Sequence, residues 1–141
     1  MNEKKENVFN FEKLLVYQKS LDFIDKVYDI TDKFPISEKF NITDQFRRAA
    51  TSIALNIGEG SGGTDKEFNS FLRISKRSVK ECVVCTTVSF RRKYINAEEE
   101  SQLRSRLVEI AKMNSGLSKA VRMKIKANTS GSPVSSLQTP D

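Results

Sequence analysis

Apolar residues recur along this chain at three- and four-residue steps, and no stretch sustains the two-residue alternation of a half-buried strand, so the pattern predicts an all-α fold. In a first helix, about Phe11 to Lys33, one apolar stripe follows Leu14, Tyr17, Leu21, Ile24 and Tyr28, and a second follows Val16, Phe23, Val27 and Ile30. Two stripes imply two buried sides. The remaining face, Lys19, Asp22, Lys26, Asp29 and Lys33, alternates in sign at helical spacing and is expected to meet water.

Pro35 interrupts this pattern, so Pro35 to Ile42 is expected to bend before a second helix with Thr43 as its N-cap. That helix presents Phe46, Ala50, Ile53 and Ile57 as a core stripe, flanked by the small residues Ala49, Ser52 and Ala54, which admit a close neighbour. Gly58 and Gly60 are expected to stop it. Thr64 and Glu67 then form a T-x-x-E capping box that opens a third helix over about Asp65 to Lys93.

The third helix has a seam of Phe68, Leu72, Ser75, Val79, Cys82 and Thr86, widened by Phe71, Ile74, Ser78, Cys85 and Val88. An arc this wide fits either a broad four-helix core or burial in both a subunit core and a subunit interface; we take it as evidence for a homo-oligomer. Asn96 caps a fourth helix, with Glu98, Glu99 and Glu100 in its first turn and Leu103, Leu107, Ile110, Leu117, Val121 and Ile125 on one face. Asn114 interrupts that stripe, either at a partly exposed position or as a residue that sets register. The expected organisation is therefore an N-terminal extension over 1–10, a bundle over 11–127 and a disordered tail over 128–141.

At 141 residues, with 38% apolar and 30% charged, the chain matches one domain able to fold without disulfides or metal. No apolar run approaches the roughly 20 residues of a membrane span, and no apolar run follows the charged start, so no membrane contact and a cytoplasmic location are expected. The net charge of +6 is unevenly placed: residues 47–96 hold ten basic and four acidic groups, whereas residues 1–46 hold seven and nine. A basic middle third favours polyanions through counterion release.

The absence of histidine removes the Ser-His-Asp triad, the Cys-His pair and imidazole metal ligands. Cys82 and Cys85 form a C-x-x-C inside a helix with no second pair, the pattern of two core thiols rather than a zinc or redox site. GEGSGGT from Gly58 to Thr64 lacks the lysine of a phosphate loop and follows a helix, and Glu59, Asp65 and Glu67 read as surface acids near helix ends. No catalytic residue, cofactor or metal is expected, and the chain is not expected to be an enzyme.

The remaining functional signal is a basic stripe, Lys66, Arg73, Lys76, Arg77 and Lys80, at three-, four- and seven-residue spacing on one face of the third helix. Arg47, Arg48, Arg91, Arg92 and Lys93 extend it. A solvated face is the plain alternative to a polyanion surface. No aromatic residue interleaves with the stripe, which points to backbone-dominated rather than base-stacking recognition.

The segments FEKLLVYQKSLDF, KFPISEKFNITDQFRRAATSIALNIGEG, KEFNSFLRIS and SVKE together resemble the four-helix bundle family of 23S rRNA intervening-sequence proteins, over about Phe11 to Val121. The R-R-A-A-x-S-I-x-x-N-I-x-E-G pattern from Arg47 to Gly60 is the most specific part. The resemblance implies an up-and-down four-helix protomer in a homopentameric barrel, related to the accessory variability determinant that partners the reverse transcriptase of diversity-generating retroelements. It further implies binding of nucleic acid, structured RNA in our reading, or of a protein partner, without catalysis. Lys76 and Arg77 stand where small residues are expected, and Cys82 and Cys85 replace a leucine-rich continuation. The Arg47 and Arg48 match leaves open a phosphate contact or an intersubunit salt bridge to Glu59 or Asp44.

Overall fold

A helix end leaves orphaned backbone groups, and in this chain some ends meet them with side chains while others do not. A computed structural model describes residues 7–130. The expected first helix divides in two. Glu12 accepts a hydrogen bond from the Phe9 N–H at 2.7 Å and closes a 3-10 turn over Asn10–Lys13. Leu14 is extended, and α1 follows over Leu15–Thr31. The Thr31 hydroxyl donates to the Val27 carbonyl at 2.7 Å, and Pro35 heads a 3-10 turn over Ile36–Glu38.

The second helix, α2, spans Ile42–Ser61 and departs from expectation at both ends. Thr43 does not cap it: Asn41 precedes the helix without a side-chain cap, and Thr43 is buried in the first turn. Gly58 and Gly60 do not stop it either. Glycine adopts helical φ/ψ at a cost of about 1 kcal/mol relative to alanine, and packing offsets that cost here. A Cβ on Gly60 would lie 2.6 Å from Phe71 Cβ, so the missing side chain is what lets the next helix approach.

The helix α3, over Asp65–Arg91, opens as expected: Thr64 Oγ1 accepts from the Glu67 N–H at 3.1 Å, while the Thr64 N–H donates to Glu67 Oε1 at 2.8 Å. It closes with the Tyr94 N–H on the Ser89 carbonyl and the Lys93 N–H on the Phe90 carbonyl, which places Lys93 at φ 65°. The fourth helix, α4, spans Ala97–Ser130. Asn96 caps it, with Asn96 Oδ1 accepting from the Glu99 N–H at 2.7 Å and Glu99 Oε1 accepting from the Asn96 N–H at 2.9 Å. It continues three residues past Ala127, and the remainder of the expected tail, like the start of the N-terminal extension, lies outside the described residues.

Four helices and no strands are present among the described residues, and no helix is long and apolar enough to cross a membrane. The helices pack in the cycle α1, α2, α3, α4 and back to α1, without packing across the diagonals. Interhelical hydrogen bonds show that neighbours run in opposite directions: Ser75 of α3 meets Ile53 of α2, Ser78 meets Ser52, and Asn69 meets Ser118 of α4 while Thr87 meets Arg104. The result is an up-and-down four-helix bundle.

Its core holds Phe23 and Val27 of α1, Phe46, Ile53 and Ile57 of α2, Leu72 and Cys82 of α3, and Leu103, Leu107 and Ile110 of α4. Only one of the two α1 stripes is buried by the bundle. Val16, Phe23, Val27 and Ile30 are covered, whereas Leu21 and Tyr28 of the other stripe are exposed. The Asn114 position is also decided by packing: it is 2% exposed rather than partly exposed, and its Nδ2 donates to Ser75 Oγ across the α3–α4 seam at 3.0 Å.

Candidate nucleic-acid interface

The inward face of α3 is built of small and thiol side chains, Ser75, Ser78, Val79, Cys82, Cys85 and Thr86, which seat the helix closely in the bundle. That leaves the opposite face standing clear of its neighbours. Lys66, Arg73, Lys76, Arg77 and Lys80 all project from it and are exposed. At a rise of about 1.5 Å per residue, Lys66 and Lys80 stand roughly 21 Å apart along the axis. None of the five is ion-paired among the described residues. Asp65 and Glu67 flank Lys66, Asp65 pairing with Lys124 and Glu67 capping Thr64, and Glu81 beside Lys80 has its carboxylate 3.5 Å from Gln45 Nε2 on α2. Five like charges on one helix face, none of them ion-paired among the described residues, make a positively charged surface.

The other basic residues divide into separate environments. Arg91 follows on the exposed surface of α3 after an interval that includes the exposed Val84 and Val88. Arg92 instead borders a broad cleft of about 730 Å³ with Arg48, beside Glu38, Asp44 and Glu81, so positive and negative groups mix there. Lys93 occupies the turn after α3.

Arg47 does not join the stripe. Its guanidinium lies 4.5 Å from the Tyr28 ring centroid, its Nε donates to Thr31 Oγ1 at 2.8 Å, and an amino group reaches Asp32 Oδ1 at 3.2 Å. The arginine is thus a clamp between the end of α1 and α2. Among the described residues its ion-pair partner is Asp32, and neither Asp44 nor Glu59 takes that place.

One basic residue that the sequence reading left out belongs with the stripe. Arg122 of α4 borders a cleft of about 300 Å³ beside Arg73 and Lys76 of α3, with Asn69, Asn114 and Ser118 also lining it. Arg122 donates to Ser118 Oγ at 2.8 Å, and Ser118 donates to Asn69 Oδ1 at 3.2 Å. The polar spacing Asn114, Ser118, Arg122 is visible along the chain, but only the α3–α4 packing sets it against Arg73.

The thiols fit the core reading. Both cysteines are buried and unbridged. Burial, reinforced by the Glu81 charge, pushes the Cys85 thiol up to about 11, and burial together with the Cys85 and Glu81 charges raises Cys82 further. A buried thiol held protonated is a poor nucleophile and a poor metal ligand.

The family model of the 23S rRNA-intervening sequence proteins matches residues 12–116. Among solved structures, the chain is similar to a protein of unknown function from the S23 ribosomal protein family of Bacteroides thetaiotaomicron. The two share 25% identity with a TM-score of 0.69, over 74% of this chain and 99% of that one. No curated protein matches the chain.

Proposed function

The chain belongs to the family of 23S rRNA-intervening sequence proteins, and we propose that it is a non-enzymatic, homo-oligomeric bundle in the cytoplasm that binds structured RNA through its basic helix faces. The observation that carries this reading is the unpaired row Lys66, Arg73, Lys76, Arg77 and Lys80 on α3. Release of counterions from neutralised phosphates supplies the affinity, and contact with the phosphate backbone makes it weakly sequence-selective.

Self-association is supported by apolar side chains that one protomer leaves uncovered. Tyr17, Leu21, Ile24 and Leu55 line an apolar groove of about 410 Å³ between α1 and α2, and Ile74 and Val84 are exposed on α3. Family resemblance favours five subunits, an arrangement that repeats the α3 row around a ring.

A second reading, a protein-interaction adaptor such as an accessory subunit of a reverse transcriptase, is favoured by a different observation. Ile36 and Phe40 are 88% and 84% exposed between α1 and α2, and Phe40 also lines the mixed-charge cleft of Arg48 and Arg92. Large apolar side chains beside charges of both signs suit a protein surface better than a phosphate backbone.

Anisotropy titrations of a hairpin RNA over a salt series separate the two. If the five cations each neutralise one phosphate, the log-log slope per protomer is roughly −3.5 to −4.5. Replacing Arg73, Lys76, Arg77 and Lys80 by glutamine should flatten most of that slope while sedimentation shows unchanged oligomeric mass. A slope near zero for the natural protein, or one that survives the quadruple substitution, rejects the stripe as an RNA surface.

A further inference from the structure

The α3 cations do not face water alone. Antiparallel packing, in the register of the Ser118–Asn69 and Arg104–Thr87 hydrogen bonds, sets the later half of α4 against the opening half of α3. From Glu109 to the end of the helix, α4 carries Lys112, Lys119, Arg122, Lys124 and Lys126 and no further acid. Two basic helices therefore flank one groove.

The cleft of about 300 Å³ within that groove has the chemistry of an oxyanion seat. Arg73 and Lys76 line it from α3 and Arg122 from α4, and none of the three is ion-paired among the described residues. No carboxylate lines it. The acids at the start of α3 are engaged elsewhere, Asp65 with Lys124 and Glu67 with the Thr64 cap. The larger cleft of Arg48 and Arg92 gives the contrast, because Glu38, Asp44 and Glu81 offset its cations from within. Arg122 is also held in place: it donates to Ser118 Oγ at 2.8 Å, and that hydroxyl donates across the seam to Asn69 Oδ1 at 3.2 Å. A guanidinium fixed in this way presents its other N–H groups as a planar fork, the geometry in which arginine meets phosphate oxygens. The buried Leu72 adds an apolar wall, beside which charges attract more strongly than in open water.

We propose that this cleft seats a phosphate of the bound RNA, with Arg73 and Lys76 on one side and Arg122 on the other, so that the strand follows the α3–α4 groove and not the crest of α3. The inference rests on the RNA-binding reading above and adds α4 to the surface. A phosphate on the crest meets the cations of one helix, whereas a phosphate in the groove is held from two helices at once. Ser118 is a positioning residue, acting through Arg122.

Anisotropy titrations of the full chain with a hairpin RNA over a salt series test the proposal. Arg122→Gln should make the log-log slope shallower by roughly 0.7–0.9, one phosphate's worth. Affinity at low salt should fall about tenfold, with circular dichroism and oligomeric mass unchanged. Arg122→Lys keeps the charge and should keep the slope. Arg106→Gln removes a cation of the same helix that lies roughly 160° around its axis from Arg122, and should leave both slope and affinity as they are. Ser118→Ala removes no charge, so it should keep the slope while affinity falls about threefold. An Arg122→Gln variant with the natural slope, or an Arg106→Gln variant that loses as much, overturns the groove; flattening by the quadruple α3 substitution would still uphold the α3 row. Ser118→Ala at natural affinity overturns its positioning role. Calorimetry with inorganic phosphate separates a free ion from the RNA backbone: phosphate binding that Arg122→Gln abolishes, with the RNA slope unmoved, assigns the cleft to the free ion and overturns the proposal. A slope near zero for the natural protein overturns both readings.

Discussion

Three glycines that lie within helices provide a test of how closely α2 and α3 must approach. Gly116 of α4 has nothing within 4 Å of where a Cβ would stand, so Gly116→Ala gains the propensity difference, about 0.8–1 kcal/mol, without a steric cost. At Gly58 the new Cβ meets Phe11 Cε1 at 3.1 Å, the far end of a ring on the N-terminal 3-10 turn, which can yield. Gly58→Ala should be close to neutral. At Gly60 the nearest atoms are Phe71 Cβ at 2.6 Å and Phe68 Cδ1 at 3.0 Å.

The Phe71 Cβ is attached directly to the α3 backbone, so a contact of 2.6 Å is relieved only by moving the helix by the better part of an ångström. Overpacking of that kind costs about 1–3 kcal/mol, against which the propensity gain offsets roughly 1 kcal/mol. The net expectation for Gly60→Ala is a loss of up to about 2 kcal/mol, a substantial part of the 5–15 kcal/mol typical of a domain. Urea unfolding followed by circular dichroism at 222 nm reads all three variants on one scale, with a common m-value showing that the unfolded states are comparable. The predicted order of midpoints is Gly116→Ala above the natural protein, Gly58→Ala near it, and Gly60→Ala below. A Gly60→Ala variant as stable as Gly116→Ala would refute the claim that this glycine is kept for helix approach.

Other substitutions isolate single features. Lys93 adopts φ 65°, a left-handed conformation that costs a side-chain-bearing residue about 1–2 kcal/mol, so Lys93→Gly should raise the urea midpoint by the equivalent of roughly 1 kcal/mol. Arg47→Ala should lose about 1–2 kcal/mol through the Tyr28 contact and the Thr31 hydrogen bond, the ion pair contributing little because Asp32 is exposed, while RNA affinity measured by anisotropy stays within twofold. The Cys85 thiol, held near 11 in the fold against 9.0 for the free group, contributes stability that is present below about pH 9 and lost as the pH rises toward 11, because the unfolded chain releases its proton first. The joint Cys82→Ala, Cys85→Ala variant should show a shallower alkaline decline between about pH 8 and 10.5, by as much as about 1.4 kcal/mol per pH unit per thiol; parallel declines would contradict the assigned burial effect.

The features most legible in the sequence are those made by residues close together along the chain. The caps Thr64 with Glu67 and Asn96 with Glu99 each span three residues, so reciprocal hydrogen bonds could be read from spacing alone. The α3 cations were equally legible, since helical periodicity places Lys66, Arg73, Arg77 and Lys80 on one face before any partner is known. The periodicity also separated the α2 core, Phe46, Ala50, Ile53 and Ile57, from its surroundings.

Tertiary structure decided the positions whose energies depend on distant segments. Gly58 and Gly60 read locally as helix breakers, yet packing against Phe11, Phe68 and Phe71 makes them sites of close approach within a continuing helix. Arg47 reads like Arg48 until the end of α1 brings Tyr28, Thr31 and Asp32 to it from 15 to 19 positions away. Asn114 reads as a break in an apolar stripe, and its burial against Ser75, 39 positions earlier, exists only once α3 and α4 pack together. Local sequence determined where helices form because a helix satisfies its backbone within four residues. Which faces meet, and therefore which polar groups are enclosed with or without a partner, was settled by the packing of the four helices against one another.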